Sequence, residues 1–98
     1  MAVKAISEFK LQPDRRAEFV HLFETLVAEH LESMRAVGCH SATIYIALDD
    51  PSKAVEISEW ESAEARQTMM QSEAMAAFAP LFELLAAPPI ATVIGRMQ

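Results

Sequence analysis

Glycine and cysteine are both scarce in this 98-residue chain, which has two glycines and a single cysteine, Cys39. With so little glycine, neither a glycine-rich phosphate-binding loop nor a GxSxG nucleophile turn can form. A lone cysteine excludes an internal disulfide framework and cannot by itself make a structural zinc site. Phosphoryl transfer, serine hydrolysis and a metal centre are therefore not expected, and the cysteine usage fits a reducing cytoplasm.

Basic residues are also few, with eight Lys and Arg against fourteen Asp and Glu and a formal net charge of −6. Scattered along the chain, they cannot form the positive patch that nucleic-acid phosphates or anionic lipids require. No apolar run approaches the roughly 18 residues of a membrane span, and the first residues do not resemble a secretory leader. We therefore expect a soluble cytoplasmic protein with neither nucleic acid nor membrane as a partner.

Apolar residues, in contrast, make up 52% of the chain. A chain of this length buries only about 65% of the surface that its unfolded form exposes. Part of the apolar surface is therefore expected to be covered by a second copy of the chain, most simply in a two-fold homodimer.

Alternating apolar residues and turn residues predict four strands. These are Val3–Leu11, His40–Leu48, Val55–Trp60 and Ile90–Arg96. Between the first two, apolar residues at helical spacing predict a long amphipathic helix from Asp14 to about Ala36, which Gly38 ends.

A second helical region follows the third strand. Ser62 is expected to cap a short helix to about Gln71, Ser72 to cap another, and Pro80 to begin a third piece or kink the second. The order β-α-β-β-α-β predicts a ferredoxin-like α+β fold, a four-stranded antiparallel sheet with helices on one face. We expect residues 1–98 to form one domain.

Trp60, the only tryptophan, closes the third strand immediately before the Ser62 cap. At such a strand–helix corner an indole ring offers a ligand pocket one apolar wall and one N–H donor. The more common role of a buried aromatic residue is core packing.

His30 is an anomaly, because it lies in the apolar stripe of the long helix. Viewed down the helix axis, its direction falls between those of Phe19 and Phe23. His21 lies nine residues away, half a turn beyond two full turns, so the two imidazoles cannot share a metal ion. His30 is either a hydrogen-bonded core residue or a functional group.

The predicted topology places His30 and Trp60 at the same end of the domain. His30 lies about 24 Å from the start of its helix and Trp60 about 23 Å from the start of its strand. Strand alternation gives Glu56, Ser58 and Trp60 one shared face. Glu56 beside an imidazole would be an acid–base pair. The alternatives are a bulge that breaks the alternation, or a face open to solvent.

Methionines are concentrated in the second helical region, where Met69, Met70 and Met75 precede Phe78. Flexible thioethers suit an adaptable apolar pocket and ordinary core packing equally well. Cys39 has only His40 as a basic neighbour in sequence, which gives little support for a nucleophilic role.

Three stretches carry a resemblance to a known family: Ala5–Lys10 before a proline-started helix, Gly38–His40 opening the second strand, and Glu59–Ser62 at the corner. In this order and spacing the chain resembles the antibiotic-biosynthesis monooxygenase family, particularly its quinol-monooxygenase-like branch. The resemblance implies a dimeric α+β barrel in which two sheets pack face to face and each subunit keeps a cavity between sheet and helices.

The resemblance also implies an activity, the oxygenation of a small quinol, phenol or polyketide-like aromatic by O2 without metal or flavin. The base would be His30 or Glu56, with Trp60 as pocket wall. Further substrate contacts would come from Ser7, Phe23, Ser58 and Met69.

The chain departs from the family at several positions. Enzymes of this branch often carry His, His and Tyr where Met69, Ala74 and Phe78 stand, and some carry Asn where Glu56 stands. Haem degradation is not expected, because its Asn and His are replaced by Ser7 and by Met69 or Met70. The alternatives to an enzyme are a binding module for an apolar metabolite and a scaffold protein whose pocket is filled by side chains.

Overall fold

A four-stranded antiparallel sheet organises the computed structural model, which describes residues 2–97. The strands are β1 (Val3–Lys10), β2 (Cys39–Ile46), β3 (Lys53–Trp60) and β4 (Ile90–Gly95), in the spatial order β2-β3-β1-β4. Every neighbouring pair is antiparallel. The predicted β-α-β-β-α-β ferredoxin-like fold is confirmed.

The helices are α1 (Arg16–Ala36), α2 (Ala63–Met70), a 3₁₀ helix (Glu73–Phe78) and α3 (Ala79–Phe82). α1 begins two residues later than predicted, because Asp14 has a φ of 63° and cannot continue into a right-handed helix. Among residues 2–97, no helix has the length and apolar character needed to cross a membrane.

The second helical region begins and divides at the predicted residues, but one of its caps is built differently. The Ser62 hydroxyl accepts a hydrogen bond from the Ala65 amide at 3.0 Å, as predicted. Ser72 occupies the N-cap position of the 3₁₀ helix, as predicted, but its hydroxyl makes no capping bond there and donates instead to the Met69 carbonyl oxygen at 2.7 Å. Pro80 lies in the first turn of α3 and therefore begins a third piece.

The core lies between one face of the sheet and the helices. Alternate residues of β1 and β3 are buried on this face, and α1 buries Phe19, Phe23 and Met34 against them. The Phe9 and Phe19 rings pack with their centroids 5.1 Å apart. The predicted alternation of β3 is confirmed, since Ala54, Ser58 and Trp60 are all buried.

The opposite side of the sheet, here called the outer sheet face, is apolar along its middle. Its partly or largely exposed members include Ile6, Tyr45, Ile57, Ile90 and Ile94. Two cross-strand ion pairs flank them, one joining Lys4 and Glu59 at 3.5 Å and one joining Lys53 and Glu8 at 2.7 Å.

Candidate functional site

The site begins at the corner where β3 passes into α2. The Glu61 amide donates a hydrogen bond to the Gly38 carbonyl oxygen at 2.8 Å, which ties this corner to the end of α1. Gly38 has a φ of 95°, and a β-carbon there would lie 2.9 Å from the Ala65 β-carbon. Glycine therefore allows the close approach that fixes α2 beside Trp60.

A cavity of about 140 Å³ lies between the sheet and the helices. Six of the seven side chains predicted to act on a substrate line it, and the seventh, His30, does not. The six are Ser7, Phe23, Glu56, Ser58, Trp60 and Met69. Most of the remaining wall is apolar and includes Met75 and Phe78.

The Trp60 indole forms a wall of the cavity, and only 3% of the residue is exposed. Its N–H donates to the Ser58 hydroxyl oxygen at 2.8 Å, within one face of β3. The indole N–H, predicted as a donor to a ligand, is therefore already hydrogen-bonded within the protein. The Ser58 hydroxyl keeps its own hydrogen as a donor, since a hydroxyl can donate and accept at once.

Glu56 brings a carboxyl group into this apolar environment. In the sheet it stands opposite Ser7 of β1 on one side and Ile44 of β2 on the other. Burial raises the pKa of the Glu56 carboxyl above its ordinary value, while the neighbouring Ser7 hydroxyl and the positive charge of Arg66 oppose that rise. A carboxylate in this position holds a proton more tightly than one in water.

Arg66 also lines the cavity and was not predicted from the sequence. It lies on α2, three and four residues before Met69 and Met70, so the three side chains share one helix face. Since Met69 was expected in the pocket, the same spacing would have identified Arg66.

His30 does not line the cavity that contains Glu56 and Trp60, here called the Glu56 cavity. It lines a second cavity of about 140 Å³. The two cavities share Met34, Met69 and Phe78, which form the wall between them. The His30 and Phe78 rings pack with centroids 5.8 Å apart. The expectation that His30 and Trp60 line one hollow is wrong, because Phe78 from the 3₁₀ helix packs against the imidazole.

Cys39 is buried in the wall of the Glu56 cavity. Burial, and the negative charge of Glu56, raise the pKa of its thiol to about 11. The thiol is therefore protonated at neutral pH, which agrees with the weak sequence support for a nucleophile. Among residues 2–97, no three His, Cys, Asp or Glu side chains are grouped as metal ligands.

Comparison with solved structures shows that this fold is shared by many proteins. SnoaB from Streptomyces nogalater, a cofactor-independent oxygenase solved as its N63A mutant, is 20% identical, with 99% of this chain and 94% of SnoaB covered and a TM-score of 0.74. Rv0793 from Mycobacterium tuberculosis is 25% identical, with coverage of 100% and 97% and a TM-score of 0.75. A conserved protein from Methanosarcina mazei Go1 is 20% identical, with coverage of 99% and 94% and a TM-score of 0.80.

Comparison with curated proteins gave no match. The family described as antibiotic biosynthesis monooxygenase matches residues 2–81, which include β1, both sides of the corner and every charged residue of the cavity. With a match over most of its length, this chain belongs to the antibiotic biosynthesis monooxygenase family.

Proposed function

We propose that this protein is a cofactor-independent monooxygenase that oxidises a small phenol or quinol with O2. The observation that carries the proposal is the Glu56 carboxyl inside a mainly apolar cavity beside Trp60. Family membership supports the reaction class, and SnoaB, which shares the fold, is a cofactor-independent oxygenase.

The size of the cavity limits the substrate. Its volume of about 140 Å³ is close to that of an engineered apolar cavity of about 150 Å³ that binds benzene. One aromatic ring therefore fits in the enclosed part. Met70 and Phe82, which line the cavity and are 38% and 45% exposed, offer an apolar surface to any substituent that extends outward.

Glu56 is proposed to remove the hydroxyl proton of the substrate. A general base works best when its pKa lies near the operating pH, so a raised pKa makes this carboxylate a better proton acceptor. Exclusion of water by Trp60 and Phe23 would favour the transfer of electrons from the phenolate to O2 rather than a return of the proton from solvent.

The proposed reaction balances for a phenol with a free para position. O2 takes electrons from the phenolate, and a C–O bond forms at the para carbon to give a peroxide anion. This anion takes the proton back from Glu56, and the resulting hydroperoxide loses its outer OH and the para hydrogen as water to leave a para-quinone. One oxygen atom of O2 enters the product and the other leaves as water. The protein supplies the base and the dry cavity, and no metal or flavin takes part.

His30 is the alternative base. To act on a ligand beside Trp60, it would need the wall of Met34, Met69 and Phe78 to move. Glu56 already lines the same cavity as Trp60, so it needs no such movement and is favoured as the base. The variant His30→Gln separates the two assignments, since it is expected to keep the wild-type rate if Glu56 is the base.

Oxygen uptake tests the proposed function with a panel of single-ring phenols and quinols, each corrected for oxidation without protein. Removing a general base costs about 10²-fold to 10⁴-fold in rate, so Glu56→Gln is expected to lose at least a hundredfold in kcat. Glu64→Gln is the matched control, because Glu64 is exposed on α2 and does not line the cavity.

Two results would contradict the proposal. One is a wild-type protein that does not accelerate oxygen uptake with any member of the panel. The other is a Glu56→Gln protein as active as Glu64→Gln, which would remove Glu56 from the reaction.

A non-catalytic binding module is the second candidate. It is favoured by the apolar residues Met69, Ala74 and Phe78, which stand where related enzymes often carry polar ones. A phenol that raises the melting temperature and is recovered unchanged under air would select this function.

We also propose that the protein acts in the cytoplasm as a homodimer. The partly exposed apolar residues of the outer sheet face support a partner on that side, because contiguous exposed apolar surface commonly marks an interface. The two sheets would then pack face to face, leaving one cavity on the far side of each.

A further inference from the structure

Arg66 carries the only positive charge among the described residues that line the Glu56 cavity. The two charged side chains come from different elements, Glu56 from β3 and Arg66 from α2. Both are half-buried. They form one polar corner in a cavity whose other walls are mainly aromatic, thioether and aliphatic.

The two charges interact across a gap. The positive charge of Arg66 acts on the Glu56 carboxyl, yet no nitrogen–oxygen pair between them lies within 4.0 Å. The Arg66 guanidinium also donates none of the side-chain hydrogen bonds found within residues 2–97. Its planar donors are therefore available to an oxygen atom placed in the cavity.

The pair remains electrically balanced when a ligand ionises. If a ligand hydroxyl gives its proton to Glu56, the negative charge moves from the carboxylate to the ligand oxygen while Arg66 stays positive. Without Arg66, the cavity would hold an uncompensated anion both before and after the transfer, which is strongly unfavourable.

We propose that Arg66 is a specificity-determining residue that binds the oxyanion of a single-ring phenol or enol and so selects ionisable hydroxyl ligands over their ethers. This inference rests on the proposed function only for the identity of the proton acceptor. It assigns to the cavity a preference that depends on the charge of Arg66, which apolar packing alone would not give, since a phenol and its methyl ether share one ring and differ by a methyl group.

The test uses 4-nitrophenol, whose phenolate has its own absorbance band, and its methyl ether 4-nitroanisole. Titration of bound 4-nitrophenol across pH gives the pKa of the bound hydroxyl. Four proteins are compared: the wild type, Arg66→Gln, Arg66→Lys and Arg35→Gln. Arg35 is exposed in the last turn of α1 and lies outside the cavities, so its variant controls for the loss of one positive charge from the surface.

Arg66→Gln is expected to raise the pKa of the bound phenol by about one unit or more, because an opposite charge within a few ångströms lowers a pKa by about 1–3 units. The affinity for the phenolate should then fall about tenfold, since one pKa unit equals a factor of ten. Binding of 4-nitroanisole should not change. Arg66→Lys should restore most of the shift, and Arg35→Gln should match the wild type.

The inference is overturned if Arg66→Gln leaves the pKa of the bound phenol unchanged, or if it weakens phenol and ether equally. It is also overturned if the wild type shows no preference for 4-nitrophenol over 4-nitroanisole above the pKa of the phenol. These readouts do not depend on turnover. A protein that consumes no O2 but shows the Arg66-dependent shift would contradict the proposed function alone.

Discussion

At the residue scale, the cavity combines a carboxyl group that holds its proton tightly with an indole whose N–H is already bonded. Glu56 and Trp60 face the helices because both alternate with the outer residues of β3. The Trp60 to Ser58 hydrogen bond fixes the ring as an apolar wall. In the proposed function, recognition of a polar ligand atom would therefore be left to Glu56, Arg66 and the two serine hydroxyls.

Substitution of Glu56 by Gln is expected to change how stability depends on pH. Burial raises the pKa of Glu56 in the folded state, so the folded state binds its proton more tightly than the unfolded state does. The contribution of Glu56 to stability is therefore largest at low pH and is lost as pH rises from the unfolded pKa through the folded pKa. Gln cannot ionise and shows no such loss.

Urea unfolding at a series of pH values gives the measurement. The free energy of unfolding of the wild type minus that of Glu56→Gln should fall as pH rises from about 4 toward neutrality. Glu64→Gln, at an exposed position, should show no comparable trend. A difference for Glu56→Gln that rises with pH would mean that the carboxylate is stabilised by the fold.

At the element scale, the position of α2 depends on the contact between the Gly38 turn and the first turn of that helix. Gly38 takes the left-handed φ of 95° and approaches Ala65, while its carbonyl oxygen accepts the Glu61 amide. α2 in turn places Arg66 and Met69 in the cavity wall. The glycine that ends α1 thus also shapes the site.

Gly38→Ala is expected to destabilise the protein by about 1–3 kcal/mol, the usual cost of a non-glycine residue in a strained backbone region. The added β-carbon would also lie 2.9 Å from the Ala65 β-carbon, which is no flexible side-chain end. The midpoint of urea unfolding measures the loss. Gly95→Ala is the matched control, because Gly95 lies in exposed β4 without a positive φ.

An unchanged midpoint in Gly38→Ala, or an equal loss in Gly95→Ala, would contradict this account of the corner.

Element types followed well from the sequence, whereas the hydrogen bonding at their ends followed only at Ser62. The period of two in β3 and the apolar stripe of α1 are repeated signals and were read correctly. Asp14 and Ser72 each have a single short polar side chain that can adopt several bonding patterns. Asp14 lies in a turn closed by a hydrogen bond from the Arg15 amide to the Gln12 carbonyl oxygen, and the Ser72 hydroxyl bonds back to Met69 of the preceding helix.

At the scale of the whole molecule, the outer sheet face gives the proposed homodimer its location. Tyr45 and Ile94 on this face are 52% and 43% exposed, and the flanking ion pairs leave the apolar centre uncovered. The abundance of apolar residues predicted an uncovered surface, and alternation along the strands assigns it to the side away from the cavity.

Ile57→Asp is expected to convert the proposed dimer to a monomer. Ile57 lies on the outer sheet face, and a carboxylate buried there without a partner in both copies costs about 3 kcal/mol or more, which weakens association more than a hundredfold. Sedimentation equilibrium measures the mass. Leu48→Asp is the control, because Leu48 is 95% exposed after β2 and lies outside the sheet.

A wild-type protein that sediments as a monomer at micromolar concentration would make the homodimer proposal wrong. Equal dissociation of Leu48→Asp would place the interface elsewhere.

By itself the sequence determined the order of elements and the face on which Glu56, Ser58 and Trp60 lie. These depend on short-range periodicity and on turn residues, which act over a few positions of the chain. Only the tertiary structure decided that His30 lies behind Phe78 in a second cavity and that Arg66 completes the polar corner with Glu56. Which side chains share a cavity depends on how helices rotate and pack against the sheet, and that packing is settled by contacts between residues distant in sequence.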